Sequence, residues 1–171
     1  DLACIIVEPV LGGAGCITPE KDYLHGLQEF AKSNDALFIL DEIVTGFRLS
    51  FKGAADEYKL EPDLFTLGKI VGGGLPIGVL CGDKDIMSLC NPVGREKGEI
   101  VCYIGGGTFA ANPLTMTAGL ATLQYLKQNK AVIYPKVNKI GLRIREGLES
   151  VFSDAHIDVD ITGVGSLFMT H

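Results

Sequence analysis

The sequence predicts an α/β fold with a mostly parallel sheet, and three observations carry that expectation. Short apolar runs recur at residues 2–7, 36–40, 64–67 and 77–81, the pattern of strands enclosed by other layers. Between the first two lie Leu24, Leu27, Phe30 and Ala31 at helical spacing, so strand, helix and strand follow one another with short links. A stripe at steps of four and three, Ile133, Val137, Ile140, Ile144, Leu148 and Val151, adds a clear amphipathic helix.

Taken in order, Leu2 to Val7 reads as a strand buried on both faces. Thr18, Pro19 and Glu20 then read as helix N-cap, first-turn proline and acidic first turn, and Asn34-Asp35 ends that helix. Residues 36–40 make the second strand, which completes a βαβ unit with parallel pairing and a right-handed crossover. Residues 64–67 and 77–81 flank Gly72-Gly73-Gly74 closely enough for the later strand to run antiparallel, giving a mixed sheet. Residues 100–104 read as a further strand, then glycines, then a helix from Pro113 to about Lys127. The stripe beginning at Ile133 reads as the next helix, and residues 157–161 and 166–170 as closing strand-like pieces. No repeat, low-complexity segment or linker interrupts the chain. It opens directly into one buried-type strand and stops in another, which points to a piece of something longer.

Composition narrows the function. With 21 acidic and 15 basic residues the formal net charge is −6, and no basic stripe appears, which disfavours a nucleic-acid backbone binder. A hydrophobic content of 47% excludes a disordered chain, and no apolar run approaches the roughly 18 residues of a membrane span. The first residues carry no basic region or cleavage signal of a secretory leader. The five cysteines form no CxxC, and Cys4 and Cys102 sit in apolar runs, so they read as small buried hydrophobes of a reduced cytosolic protein. The three histidines stand far apart, and no metal site is expected. Glycine is the outlier: 22 of 171 residues, clustered at 12–15, 72–74 and 105–107, where the backbone turns sharply or approaches something closely.

Three segments can carry chemistry. Asp41 ends the apolar run 36–40, and the carboxyl end of a parallel strand is where open α/β sheets bind ligands; a plainer role is to cap the next turn. Lys69 lies among apolar residues and glycines, where desolvation would favour the neutral amine that attacks carbonyls; a lysine reaching solvent from a strand end is the alternative. Gly105-Gly106-Gly107-Thr108, leading into Asn112-Pro113 and a helix, offers backbone N–H groups, a hydroxyl and a helix N-terminus to a phosphate. The GxGxxA spacing there also fits a dinucleotide fingerprint, but no acidic residue follows between Gln124 and Lys130, so a nicotinamide site is rejected. P-loop, GxSxG and HExxH patterns are absent. A strand-end aspartate, a desolvated lysine and a phosphate cradle together suit pyridoxal phosphate.

Several ordered segments sharpen this: Val7-Glu8-Pro9-Val10, Asp41-Glu42-Ile43-Val44-Thr45-Gly46-Phe47-Arg48, Pro62-Asp63, Leu67 to Pro76, and Gly107-Thr108-Phe109-Ala110-Ala111-Asn112-Pro113. Over nearly its whole length the chain resembles the class III, fold type I pyridoxal-phosphate aminotransferases, with the glutamate-1-semialdehyde aminomutase branch the nearest. The resemblance implies that residues 1–156 are the C-terminal half of the cofactor-binding large domain and residues 157–171 the start of the small domain. It implies that Lys69 forms the Schiff base and shuttles the substrate proton, that Asp41 pairs with the pyridinium nitrogen, and that Ile43 packs on the ring. Gly107 and Thr108 would bind phosphate, in this family usually that of the neighbouring subunit, hence a homodimer with shared sites. It also implies a small amino-acid or amine substrate, a cytoplasmic location, and no nucleic-acid or membrane partner.

Relatives acting on ornithine or γ-aminobutyrate carry Gln and Glu where this chain has Val44 and Gly13, which argues against that branch. The aminomutase usually has Asn at the Gly13 place. Gly15-Cys16-Ile17 and Thr162 to Leu167 look closer to enzymes that transaminate β-amino acids. A non-catalytic scaffold with the same fold is the reading from another class.

Overall fold

The computed structural model describes residues 1–91, 93, 102 and 107–171. Its main sheet has four strands in sequence order: β1 (Cys4–Val7), β2 (Leu37–Asp41), β3 (Leu64–Gly68) and β4 (Gly78–Gly82). β1, β2 and β3 are parallel, and β4 returns antiparallel on β3, so the mixed sheet expected from the sequence is what forms. The strand read at 100–104, and Gly105 and Gly106, lie outside the described residues except for Cys102, whose amide donates to the Leu89 carbonyl at 3.1 Å.

The βαβ unit is present: α1 (Tyr23–Ser33) links β1 to β2. Leu24 and Ala31 of α1 close over Phe38 and Leu40 of β2, with Ile5 and Val7 of β1 packed alongside. Register explains that grouping, because Ile5 pairs with Phe38 and Val7 with Leu40. The alternate residues of β1 face the other way, and Ile6 is 60% exposed, so β1 is buried on one face within this chain and not on both. Cys4 and Cys102 are likewise exposed rather than buried, and all five cysteines are free thiols. The start of α1 differs too. Its N-cap is Asp22, at φ 64° with no side-chain cap, and Glu20 belongs instead to the preceding turn, its carbonyl accepting from Tyr23 N at 3.2 Å. Phe30, at helical spacing with Leu24, Leu27 and Ala31, is exposed.

α2 (Gly53–Tyr58) and α3 (Lys84–Ser88) are short. The two helices expected after residue 112 are one: α4 runs from Pro113 to Asp154, 42 residues, with Pro135 inside it. Asn112 caps it by accepting from Leu114 N at 3.1 Å and Thr115 N at 3.3 Å, as Asn-Pro at a helix start should. Its packing face is not the apolar stripe. Val137, Ile140, Ile144 and Val151 are exposed. The face that makes contacts is polar and small: Tyr134 donates to the Phe47 carbonyl at 3.0 Å, Asn138 accepts from Ser166 N at 3.2 Å, and Arg145 donates to the Gly163 carbonyl at 3.1 Å. Gly141 sits among them against the Ser166 backbone, and a side chain there would collide with it. Residues 134, 138, 141 and 145 share one side of a helix, so hydrogen bonding and close approach, not apolar burial, hold this half of α4.

The chain closes in a hairpin of β5 (Ile161–Val164) and β6 (Leu167–Thr170), a little later than expected for the first strand. Val164 and Leu167 pack on a second core of Val10, Leu49 and Ala54. Among the described residues no helix is long and apolar enough to cross a membrane.

Candidate active site

Parallel pairing of β2 and β3 brings the residues that end them to one edge. Asp41 is the last residue of β2 and pairs in register with Thr66; Lys69 directly follows β3. The Asp41 Oδ1 atom accepts from Ile43 N at 3.0 Å and from the Thr66 hydroxyl at 3.0 Å. Asp41 therefore does cap the next turn, the plainer role considered for it. Both bonds fall on Oδ1, which leaves Oδ2 without one among the described residues. Ile43 is 36% exposed and reaches over the strand that precedes the lysine: a Cβ on Gly68 would stand 3.2 Å from its Cγ2.

Lys69 opens a 3-10 turn (Lys69–Gly72) with φ 52°, in the left-handed region that a lysine rarely adopts. Such strain persists where surrounding structure enforces it, and it clusters at functional sites. Here the turn is clamped from behind, because Gly119 of α4 packs directly against the Val71 carbonyl. The lysine itself is exposed. The desolvation expected from its apolar sequence neighbours is thus not supplied by this chain, since Val71 and Gly72 turn inward and the side chain at 69 does not.

Glu42 was given no role on the sequence, yet it is the best-satisfied polar side chain near the edge. It is 3% exposed. Its carboxylate accepts from the Thr45 hydroxyl at 2.6 Å, Ala54 N at 2.8 Å and Ala55 N at 2.8 Å. The signal was available in part. Neighbouring residues at a strand end point to opposite sides, so an Asp-Glu pair there sends one carboxylate inward, where it needs donors.

Gly107 and Thr108 precede α4. They line a concavity of about 490 Å³ with Ile77, Gly78, Asn112 and Met116, and none of Asp41, Ile43 and Lys69 borders it. Both residues are exposed. Within this chain the structure brings Asp41, Ile43 and Lys69 to one edge, while Gly107 and Thr108 line a concavity whose wall includes Gly78, the register partner of Gly68.

The first glycine cluster is tied into the same neighbourhood. Gly12 N donates to the Glu8 carboxylate at 3.1 Å, and a Cβ on Gly12 would stand 2.7 Å from Val44 Cγ1. Gly15, at φ 105°, presents its carbonyl to the Thr162 hydroxyl and to His171 Nε2, the latter at 3.1 Å. Arg48 donates to the Ser166 carbonyl at 3.0 Å. Cys16 is buried beneath this turn, and burial pushes its thiol pKa up, partly opposed by the Arg48 charge. Among the described residues no group of three or more His, Cys, Asp or Glu could hold a metal.

Comparison with known proteins gives the family and the fold. Residues 1–170 match the family profile described as aminotransferase class-III. The chain is 43% identical over 171 residues to a glutamate-1-semialdehyde 2,1-aminomutase from Methanothermobacter thermautotrophicus, covering all of this chain and 38% of that protein. A solved transaminase with PLP bound superimposes with a TM-score of 0.86 at 29% identity, over 99% of this chain and 38% of that one. A β-phenylalanine aminotransferase from Variovorax paradoxus does so with a TM-score of 0.82 at 32% identity, over 99% and 37%. The chain thus spans well under half the length of the relatives it matches.

Proposed function

The chain belongs to the class III aminotransferases, and on that premise we propose that it is the lysine-bearing part of an enzyme that moves the amino group of a small amine or amino acid with pyridoxal 5'-phosphate. The observation that carries this reading is the shared edge of β2 and β3, with a half-engaged carboxylate at Asp41 and the exposed Lys69 on adjacent strands. The residues fit the group. Oδ2 of Asp41 is available to hold a proton on the ring nitrogen, Ile43 offers an apolar surface, and the Nζ of Lys69 is free to reach an aldehyde carbon. Bound there, the cofactor supplies an aldehyde and an electron-withdrawing ring. Lys69 would hold the cofactor through its amine, and the same amine would take a proton from the substrate carbon and return it. Thr66 keeps Asp41 aligned through its hydroxyl.

Gly107 and Thr108 would take phosphate; they line an exposed concavity that Asp41, Ile43 and Lys69 do not border, which supports the reading that they serve a second copy, in a homodimer with shared sites. Residues 1–156 then belong to the large domain and residues 157–171 begin the small one. Five free thiols suit a reducing, cytoplasmic compartment.

The internal transfer of an aminomutase is the first reading of the reaction, supported by identity to such enzymes. Transfer from a β-amino acid to a keto acid is the second. It is favoured by a specific contact: the two segments that resemble such enzymes meet, Thr162 donating to the Gly15 carbonyl. Borohydride reduction of the full-length protein with cofactor, followed by peptide mapping, tests the core reading; the label belongs on Lys69, and a label elsewhere or none contradicts it. Turnover without a keto-acid acceptor favours the mutase, and strict dependence on one favours the transaminase.

A further inference from the structure

We propose that Glu42 is a positioning residue, a buried carboxylate that touches no ligand and holds Asp41 and Ile43 facing the cofactor side of the sheet edge. The inference rests on the function proposed above. Glu42 stands between those two residues in sequence, and five hydrogen bonds fix it. Three reach its carboxylate, from the Thr45 hydroxyl, Ala54 N and Ala55 N. Its own amide donates to the Thr66 carbonyl at 3.0 Å, and its carbonyl accepts from Gly46 N at 2.8 Å. Burial alternates across the three residues, with Asp41 half-buried, Glu42 buried and Ile43 exposed, so the inward anchor at 42 leaves 41 and 43 toward the outer side. Thr66 joins the two sets of bonds: its carbonyl receives Glu42 and its hydroxyl donates to Asp41.

The chemistry of the anchor is specific. All three partners of the side chain are donors, so only an acceptor-only group satisfies them. Glutamine would turn an amide NH2 toward a backbone N–H. Aspartate, one methylene shorter, would fall short of α2. Two glycines pack against Glu42 where no side chain fits: a Cβ on Gly53 would lie 2.5 Å from its Oε2, and one on Gly46 would lie 2.6 Å from its backbone carbonyl.

The experiment uses the full-length protein: wild type, Glu42→Gln, the milder Thr45→Val, and Lys69→Ala as reference. Well below the unfolding temperature, two quantities are read: the dissociation constant for pyridoxal phosphate and the pH at which the bound cofactor's visible band changes. Apo melting temperatures are recorded beside them. Glu42→Gln is expected to weaken cofactor binding about ten-fold and Thr45→Val about three-fold, as outer-shell partners do, each with a displaced pH midpoint because Asp41 loses its alignment. A lower melting temperature with wild-type affinity and midpoint marks a merely structural role and overturns the proposal. Where Glu42→Gln does not fold, Thr45→Val decides by the same readouts. Wild type that is not labelled at Lys69 overturns the function itself; wild type labelled there, with both variants unchanged, overturns only the role of Glu42.

Discussion

The strand edge at residues 41–69 and the shoulder formed by Gly107, Thr108 and the start of α4 are two parts of the proposed site, built in opposite ways. At the edge the supporting polar groups are committed, and Asp41 Oδ2 and the Lys69 amine are left open among the described residues. Asp41 is bonded to Ile43 and Thr66, Glu42 to three donors, and glycines at 46, 53 and 68 admit the close approaches. At the shoulder, among the described residues, the backbone is organised by the Asn112 cap and by a turn in which Ala110 N donates to the Gly107 carbonyl at 2.9 Å. Thr108 is displayed on an open concavity. On the function proposed above, the difference has the ring contacts assembled within one chain and the phosphate donors presented to a site formed with another copy.

The sharpest break comes at the edge itself. Lys69→Ala in the full-length enzyme should lower kcat by about a thousand-fold or more, because amine and proton carrier vanish together; a steady-state assay beside a melting curve checks that folding is intact. Next in size is a glycine pair that contrasts the two regions. Gly53→Ala meets a φ of +75° and the Glu42 carboxylate, so urea denaturation should show about 2–3 kcal/mol lost. Gly107→Ala meets nothing within 4 Å among the described residues and should change stability by less than about 0.5 kcal/mol. Thr108→Val should weaken cofactor binding about ten-fold by removing one hydrogen bond to a charged group, about 1.4 kcal/mol, with the apo melting temperature unmoved.

The smallest effect lies in the glycine turn and depends on pH. Burial raises the Cys16 thiol above its usual 9.0, so the stability gained by keeping it neutral is complete below pH 9 and is lost as pH rises through the raised value. Alkaline denaturation of Cys16→Ala should therefore be flatter than that of wild type. Alkylation should strike exposed Cys4 and Cys102 before Cys16.

Much of the edge was legible in the sequence because its cues are local. Apolar runs with short links marked β1, β2 and β3, and the glycines before β4 signalled its reversal. Asp41 and Lys69 could be singled out because each breaks an apolar context. Other features depend on distant partners. The apolar stripe of α4 marked a helix correctly, but its contact face is chosen by the carbonyls of Phe47 and Gly163 and the amide of Ser166. Thr18-Pro19 has the chemistry of a helix start, yet the isolated bridge pairing Leu11 with Ile17 keeps the chain in its turn just before that point. The exposure of Lys69 follows from a left-handed backbone angle that no local pattern announces. Glu42 was hidden in plain view beside Asp41, its three donors lying 3 to 13 residues further on.

The contrast between the two regions is tested most directly by mixing subunits of the full-length enzyme. Lys69→Ala and Thr108→Asp homodimers should both be nearly inactive, the second because an added carboxylate repels phosphate. If the edge of one copy works with the shoulder of the other, mixed dimers contain one intact site, and activity returns to a substantial fraction of wild type after co-refolding. Mixed dimers that stay as inactive as their parents would place Lys69 and Thr108 in the same chain's site and contradict the account.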